Sequence, residues 1–135
     1  MTATSTRQRP RPASQVGPGG ALRGFFRIAD AWGLSAPQSA TLLGVTRRSI
    51  DRWRADPAAT DAAGLTRDQV ERLSYVLGIY SGLHALLAES PLADQWVHRP
   101  NADFGDAPPL ARMLAGNVAD LLDVRRYVDA WRLGW

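Results

Sequence analysis

Leu22, Phe25, Phe26, Ala29 and Trp32 recur at i, i+3, i+4, i+7 and i+10, lining one side of a helix predicted over residues 21–32, and Gly33 ends it. Ser35 and Gln38 stand three apart with Pro37 between them, the capping-box spacing that opens a short helix through Leu43. Gly44 to Thr46 reads as a turn, with Thr46 placed to cap a third helix over 47–54 that Asp56-Pro57 stops. Residues 57–64 then read as a loop. A second capping box, Thr66 and Gln69 with Leu65 and Val70 as hydrophobic staple, opens a helix predicted to reach residue 88. Its apolar positions, from Val70 and Leu73 through Ile79 to Leu87, cover more than one stripe, which suits either the centre of a bundle or an oligomer contact. Short helices follow over 91–97 and 109–115, separated by a loop closed by prolines. Asn117 is placed to cap a last helix to residue 133, with Val118, Leu121, Leu122, Val128 and Trp131 inward. No stretch alternates with period two between hairpin turns, so the predicted fold is all-α.

The segment from Ser35 to Arg54 has helix-turn-helix spacing. Two short helices cross steeply only where the first presents a small side chain, and Ala40 supplies it. The tight turn needs a left-handed backbone, and Gly44 follows four residues later. Ile50 and Trp53, at i and i+3, then point back at the first helix. This pattern resembles that of repressors and Xre-like proteins, in which the front of the second helix enters the major groove. Thr46, Arg47, Arg48, Ser49 and Arg52 are then the expected DNA-binding positions, because arginine can neutralise phosphate or reach guanine O6 and N7 in bidentate fashion. Asp51 and Asp56 stand nearby and repel phosphates, so two paired copies are expected to bind better than one. A helical hairpin with a merely polar outer face is the plainer reading of the same residues.

Charge sharpens this picture. All 16 basic residues are arginine, and the first 27 residues carry Arg7, Arg9, Arg11, Arg23 and Arg27 with no acid, while the chain beyond residue 57 is net negative. The front half is therefore the half suited to a polyanion. Residues 1–20, rich in Pro, Gly, Ser, Thr and Arg, read as a disordered basic tail, either polyanion-binding or simply solvated. The lack of cysteine excludes disulfides and thiolate metal sites and suits a reducing cytoplasm. No apolar run approaches the roughly 20 residues of a membrane span, and the N-terminus lacks the apolar core of a secretory signal. His84 and His98 have no metal-ligand partner at i+3 or i+4, and no P-loop or nucleophile motif is present. No enzymatic activity, cofactor or metal is expected.

The C-terminal half holds a different constellation. Trp96, Pro100, Asn101, Phe104, Gly105, Pro108, Pro109 and Leu110 are followed by Gly116, by Val124 to Asp129, and by an end of Arg132-Leu133-Gly134-Trp135. Pro100 and Pro109 stiffen a loop, Asn101 can bond its own backbone, and Phe104 can pin the loop to the core. As a whole the run resembles the toxin-binding domain of the Xre/MbcA/ParS antitoxins, the antitoxin half of RES–Xre toxin–antitoxin modules. The resemblance is strong over residues 66–135, although the glycine directly follows Phe104 and the proline is doubled. It implies that the chain's end reaches into or over the NAD-binding cleft of a RES-domain toxin that degrades NAD. Arg132 and Trp135 are then expected to carry inhibition, with Arg125, Arg126, Tyr127 and Gly134 in the toxin contact.

The expected organisation is a basic tail (1–20), a helix-turn-helix region (21–64) and a helical toxin-binding and dimerisation domain (65–135). The expected protein is a cytoplasmic antitoxin whose partners are a cognate RES-domain toxin, operator DNA and a second copy of itself, with no membrane contact. A stand-alone transcriptional regulator whose C-terminal half only dimerises fits the same helices.

Overall fold

The computed structural model describes residues 17–60 and 64–134. Among them run seven α-helices: α1 (Pro18–Ala31), α2 (Ala36–Leu43), α3 (Arg47–Ala55), α4 (Arg67–Leu86), α5 (Ser90–Trp96), α6 (Pro109–Met113) and α7 (Val118–Arg132), with 3-10 turns at Pro57–Ala59 and Ala102–Phe104. The described residues form no strand beyond an isolated bridge between Asn101 and Ala107. The all-α expectation holds. None of the described helices is long and apolar enough to cross a membrane.

Local chemistry sets the helix ends. Ser35 Oγ accepts from the Gln38 N–H while Gln38 Oε1 accepts from the Ser35 N–H, and Thr66 and Gln69 repeat the exchange at α4. Both capping boxes thereby satisfy donors that a helix start leaves open. The first helix starts three residues earlier than its apolar stripe suggests, because Pro18 occupies the first turn, where a fixed φ and a missing N–H cost nothing. Residues 17–20, expected in the tail, thus form its cap and first turn; residues 1–16, like 61–63 and Trp135, lie outside the described residues. Helix α4 ends at Leu86, two residues short of expectation, where Leu87 turns to extended backbone. Asn117 sits at the N-cap of α7, but its amide donates to Asp120 (3.1 Å) instead of its oxygen accepting from the helix.

One hydrophobic cluster takes in Leu22, Phe25, Trp32, Leu42, Ile50, Val76, Ile79, Leu83, Leu121, Val124 and Val128, so every long helix contributes to it. Helix α4 is its axis, packed against α1, α2, α5 and α7. That accounts for most of its unusually wide apolar surface. What it leaves open is a groove of about 890 Å³ lined by Pro18, Ala21, Leu65, Leu77 and the half-exposed Val70.

Helix α7 lies closest along α4 because two glycines let it in. A Cβ at Gly78 would collide with the Arg125 guanidinium, and one at Gly82 would stand 2.6 Å from Val128 Cγ1, a fully buried atom with nowhere to retreat. Gly82→Val is expected to cost about 1–3 kcal/mol through overpacking, more than its helix-propensity gain returns. A urea titration reads this directly, and an unchanged midpoint would contradict the close α4–α7 approach.

Two polar links tie the helix-turn-helix segment to the C-terminal half. The Arg72 guanidinium donates to Thr41 O (3.4 Å) and Gly116 O (3.0 Å), pairs with Asp68 (2.8 Å) and lies across Gly44. His98 Nε2 stands 2.7 Å from the Trp32 carbonyl at the end of α1.

Candidate functional site

Helices α2 and α3 form the expected helix-turn-helix. Gly44 has φ +67, the left-handed conformation that closes the turn without a Cβ penalty. Ala40 is buried at the crossing, and Ile50 and Trp53 are buried on the inner side of α3. The outer side carries Arg47, Arg48 and Arg52, all exposed. Arg47 is loosely paired with Asp51 (3.8 Å), so this aspartate, expected to repel phosphate, is partly compensated within the helix. Arg48 and Arg52, one turn apart, have no ion pair among the described residues. Thr46 and Ser49 also shape the helix start. Thr46 Oγ1 accepts from the Ser49 N–H (3.1 Å) and donates to Ser49 Oγ (3.2 Å), so both residues build the start of α3. Arg54 turns away, pairing with Asp30 at 3.1 Å and stacking over Phe26 at 4.6 Å.

Helix α7 divides the other named residues between two sides. Arg125 runs into the α4–α7 seam, where its guanidinium meets Asp129 (3.1 Å) and the Ser74 carbonyl (3.4 Å). Arg132 follows two turns later along that seam, its stem beside Gly82 and its head exposed. Arg126 is exposed. Tyr127 faces the opposite way, toward the 101–107 loop.

There a cluster of rings gathers that periodicity did not foretell. Trp96, at the end of α5, lies nearly parallel to Tyr127 with centroids 5.9 Å apart, 6.1 Å from Trp131 and edge-on to Phe104. Trp131, expected inward, is 37% exposed, because the core side of α7 is already filled by Leu121, Val124 and Val128. Phe104 is buried as expected and pins the loop, and Asn101 Oδ1 accepts from the Asp103 N–H (2.9 Å). The Tyr127 hydroxyl donates to Asp103 Oδ2 at 2.7 Å. That bond to a carboxylate, together with partial burial, holds the phenol above the ordinary tyrosine value. Trp96, Trp131, Tyr127, Ala130 and Asp103 enclose an open pocket of about 250 Å³. The i, i+4 spacing of Tyr127 and Trp131 was the available sequence signal; that Asp103 and Trp96 meet them depends on the loop's path.

Comparison with known proteins assigns both regions. Residues 11–78 match the antitoxin Xre-like helix-turn-helix domain, and residues 83–134 match the antitoxin Xre/MbcA/ParS C-terminal toxin-binding domain. The chain belongs to the Xre/MbcA/ParS antitoxin family. It is also 44% identical over 115 residues to the uncharacterized protein y4oB of Sinorhizobium fredii (strain NBRC 101917 / NGR234), covering 84% of each chain. An antitoxin of this family pairs a helix-turn-helix with a toxin-binding domain, so a toxin and DNA are the partner classes its composition indicates. In this antitoxin α4 runs continuously from the first matched region into the second.

Proposed function

We propose that this antitoxin neutralises a RES-domain, NAD-degrading toxin in the cytoplasm by laying its C-terminal segment over the toxin's active site, and that it represses its own operon through paired helix-turn-helix units. The labour divides along the chain, with residues 21–64 facing operator DNA and residues 65–135 facing the toxin and a second copy. Arg47, Arg48 and Arg52 are the proposed DNA contacts, held in place by the cap that Thr46 and Ser49 form. Arg126, Tyr127, Arg132, Gly134 and Trp135 are the proposed toxin contacts, with Arg125 steadying α7 from the seam.

The observation that carries this reading is the end of the toxin-binding domain. Leu133 is 75% exposed directly after the last turn of α7, and Gly134 follows at φ +82. A large apolar side chain left in water just past a helix end has more to gain from a partner's pocket than from its own bundle.

A variant lacking Leu133 to Trp135 should fold normally, because Leu133 and Gly134 bury little, yet fail to protect NAD when expressed with the cognate toxin. Full protection by the truncated chain would refute active-site covering. A toxin that leaves NAD untouched would refute the RES assignment.

A further inference from the structure

The geometry points to the pocket between Trp96, Tyr127 and Trp131 as a receptor for an arginine side chain of the toxin, its guanidinium laid against the tryptophan faces and bonded to Asp103. This rests on the antitoxin reading and specifies the chemistry of its partner.

Three features of the pocket select a flat cation. Three of its five lining residues, Trp96, Tyr127 and Trp131, are aromatic, and the quadrupole of such a ring presents negative potential to a cation placed over its face. Its polar element is an acceptor, the Asp103 carboxylate, which no cation pairs among the described residues. Arg112, which lies over the neighbouring Phe104 ring, is tied to Asp123 at 3.5 Å. Asp103 is also held ready. Its N–H donates to Asn101, and Oδ2 accepts from Tyr127, so the carboxylate is oriented before any partner arrives. A fixed carboxylate beside stacked rings matches the planar fork of guanidinium better than the hydrated point charge of ammonium.

Size and position narrow the occupant further. At about 250 Å³ the pocket is smaller than the roughly 300–1,000 Å³ cavities that take drug-sized ligands, which suits one side chain. Trp131 precedes the exposed Leu133 by two residues. The pocket therefore lies within one helical turn of the proposed inhibitory end, and a toxin that engages one comes within reach of the other.

The test has two arms. In the first, the full-length antitoxin is titrated with N-acetyl-arginine amide and with its neutral citrulline counterpart, following the indole N–H resonances of Trp96 and Trp131. Saturable shifts with arginine, absent with citrulline and absent in Asp103→Asn, are expected. Equal shifts from citrulline, or no shifts at all, overturn the proposal. Shifts appearing only after removal of residues 133–135 also overturn it, because the chain's own end would then be the occupant. In the second arm, Asp103→Asn and Trp131→Ala should each weaken binding to the cognate toxin at least tenfold, mainly through faster dissociation, while Trp131→Phe keeps most of the affinity. Wild-type affinity in both variants refutes the pocket's role. If the wild-type chain binds no toxin, the antitoxin reading fails instead, and the first arm still reports on the pocket.

Discussion

Alanine at Arg47, Arg48 and Arg52 together is expected to abolish operator binding at physiological salt while leaving toxin neutralisation and the unfolding midpoint unchanged. The fold should not notice the loss. All three side chains are exposed, and the one ion pair they make, Arg47 with Asp51, is long and solvated, worth at most a few tenths of a kcal/mol. DNA affinity has no such insulation. Each arginine that neutralises a phosphate adds about 0.9 to the slope of log affinity against log salt, and each bidentate base contact is worth about 1–3 kcal/mol. Three such residues per copy, doubled in the proposed dimer, would account for several orders of magnitude. A mobility shift on the upstream promoter across a salt series measures the loss and the slope together. If the triple variant binds with an unchanged slope, the DNA surface lies elsewhere, with the arginines before residue 28 as the first place to look. If neutralisation fails as well, the two tasks are not separable.

Arg72→Ala is the second large effect, and it is one of stability. Its side chain is only 12% exposed, and its guanidinium satisfies the carbonyls of Thr41 at the end of α2 and Gly116 before α7 while pairing with Asp68. Alanine strips a charged donor from two backbone acceptors at once and leaves a gap where the stem crosses Gly44. The expected cost is about 2–4 kcal/mol, a large share of the roughly 5–15 kcal/mol that holds a typical domain together. Arg72→Met, which restores the stem but not the donors, should recover only the packing part. Thermal or urea unfolding of both variants decides the matter: parity of Arg72→Ala with wild type would mean that the link between the helix-turn-helix and the C-terminal half carries no weight. Because Arg72 touches both segments, the alanine variant should also weaken DNA binding without removing any group from the proposed DNA surface.

Much of this molecule is legible in its sequence. The capping pairs Ser35–Gln38 and Thr66–Gln69, the Ala40–Gly44 turn and the inward Ile50 and Trp53 all fall where spacing placed them, because caps, turns and amphipathic stripes are decided within a few residues of chain. Local rules also misread some places, and each miss has a cause. Asn117 is a good capping residue by type, yet Asp120 takes its amide. Trp131 is apolar and sits on a core helix, yet Leu121, Val124 and Val128 had already filled the core side. Nor does any local rule show that Arg125 and Tyr127, two residues apart, point to opposite sides of α7, one into the seam beside Gly78 and one toward Asp103.

The all-α class, the helix-turn-helix and the family resemblance can be read from the chain without its fold, since they depend on residue type at short, fixed separations. The tertiary structure alone decided that Arg72 spans the two halves, that glycines on α4 admit α7, and that Trp96, Asp103, Tyr127 and Trp131 converge on one pocket. Contacts between residues far apart in the chain follow from how whole helices pack, and no local periodicity encodes which side chains packing will bring face to face.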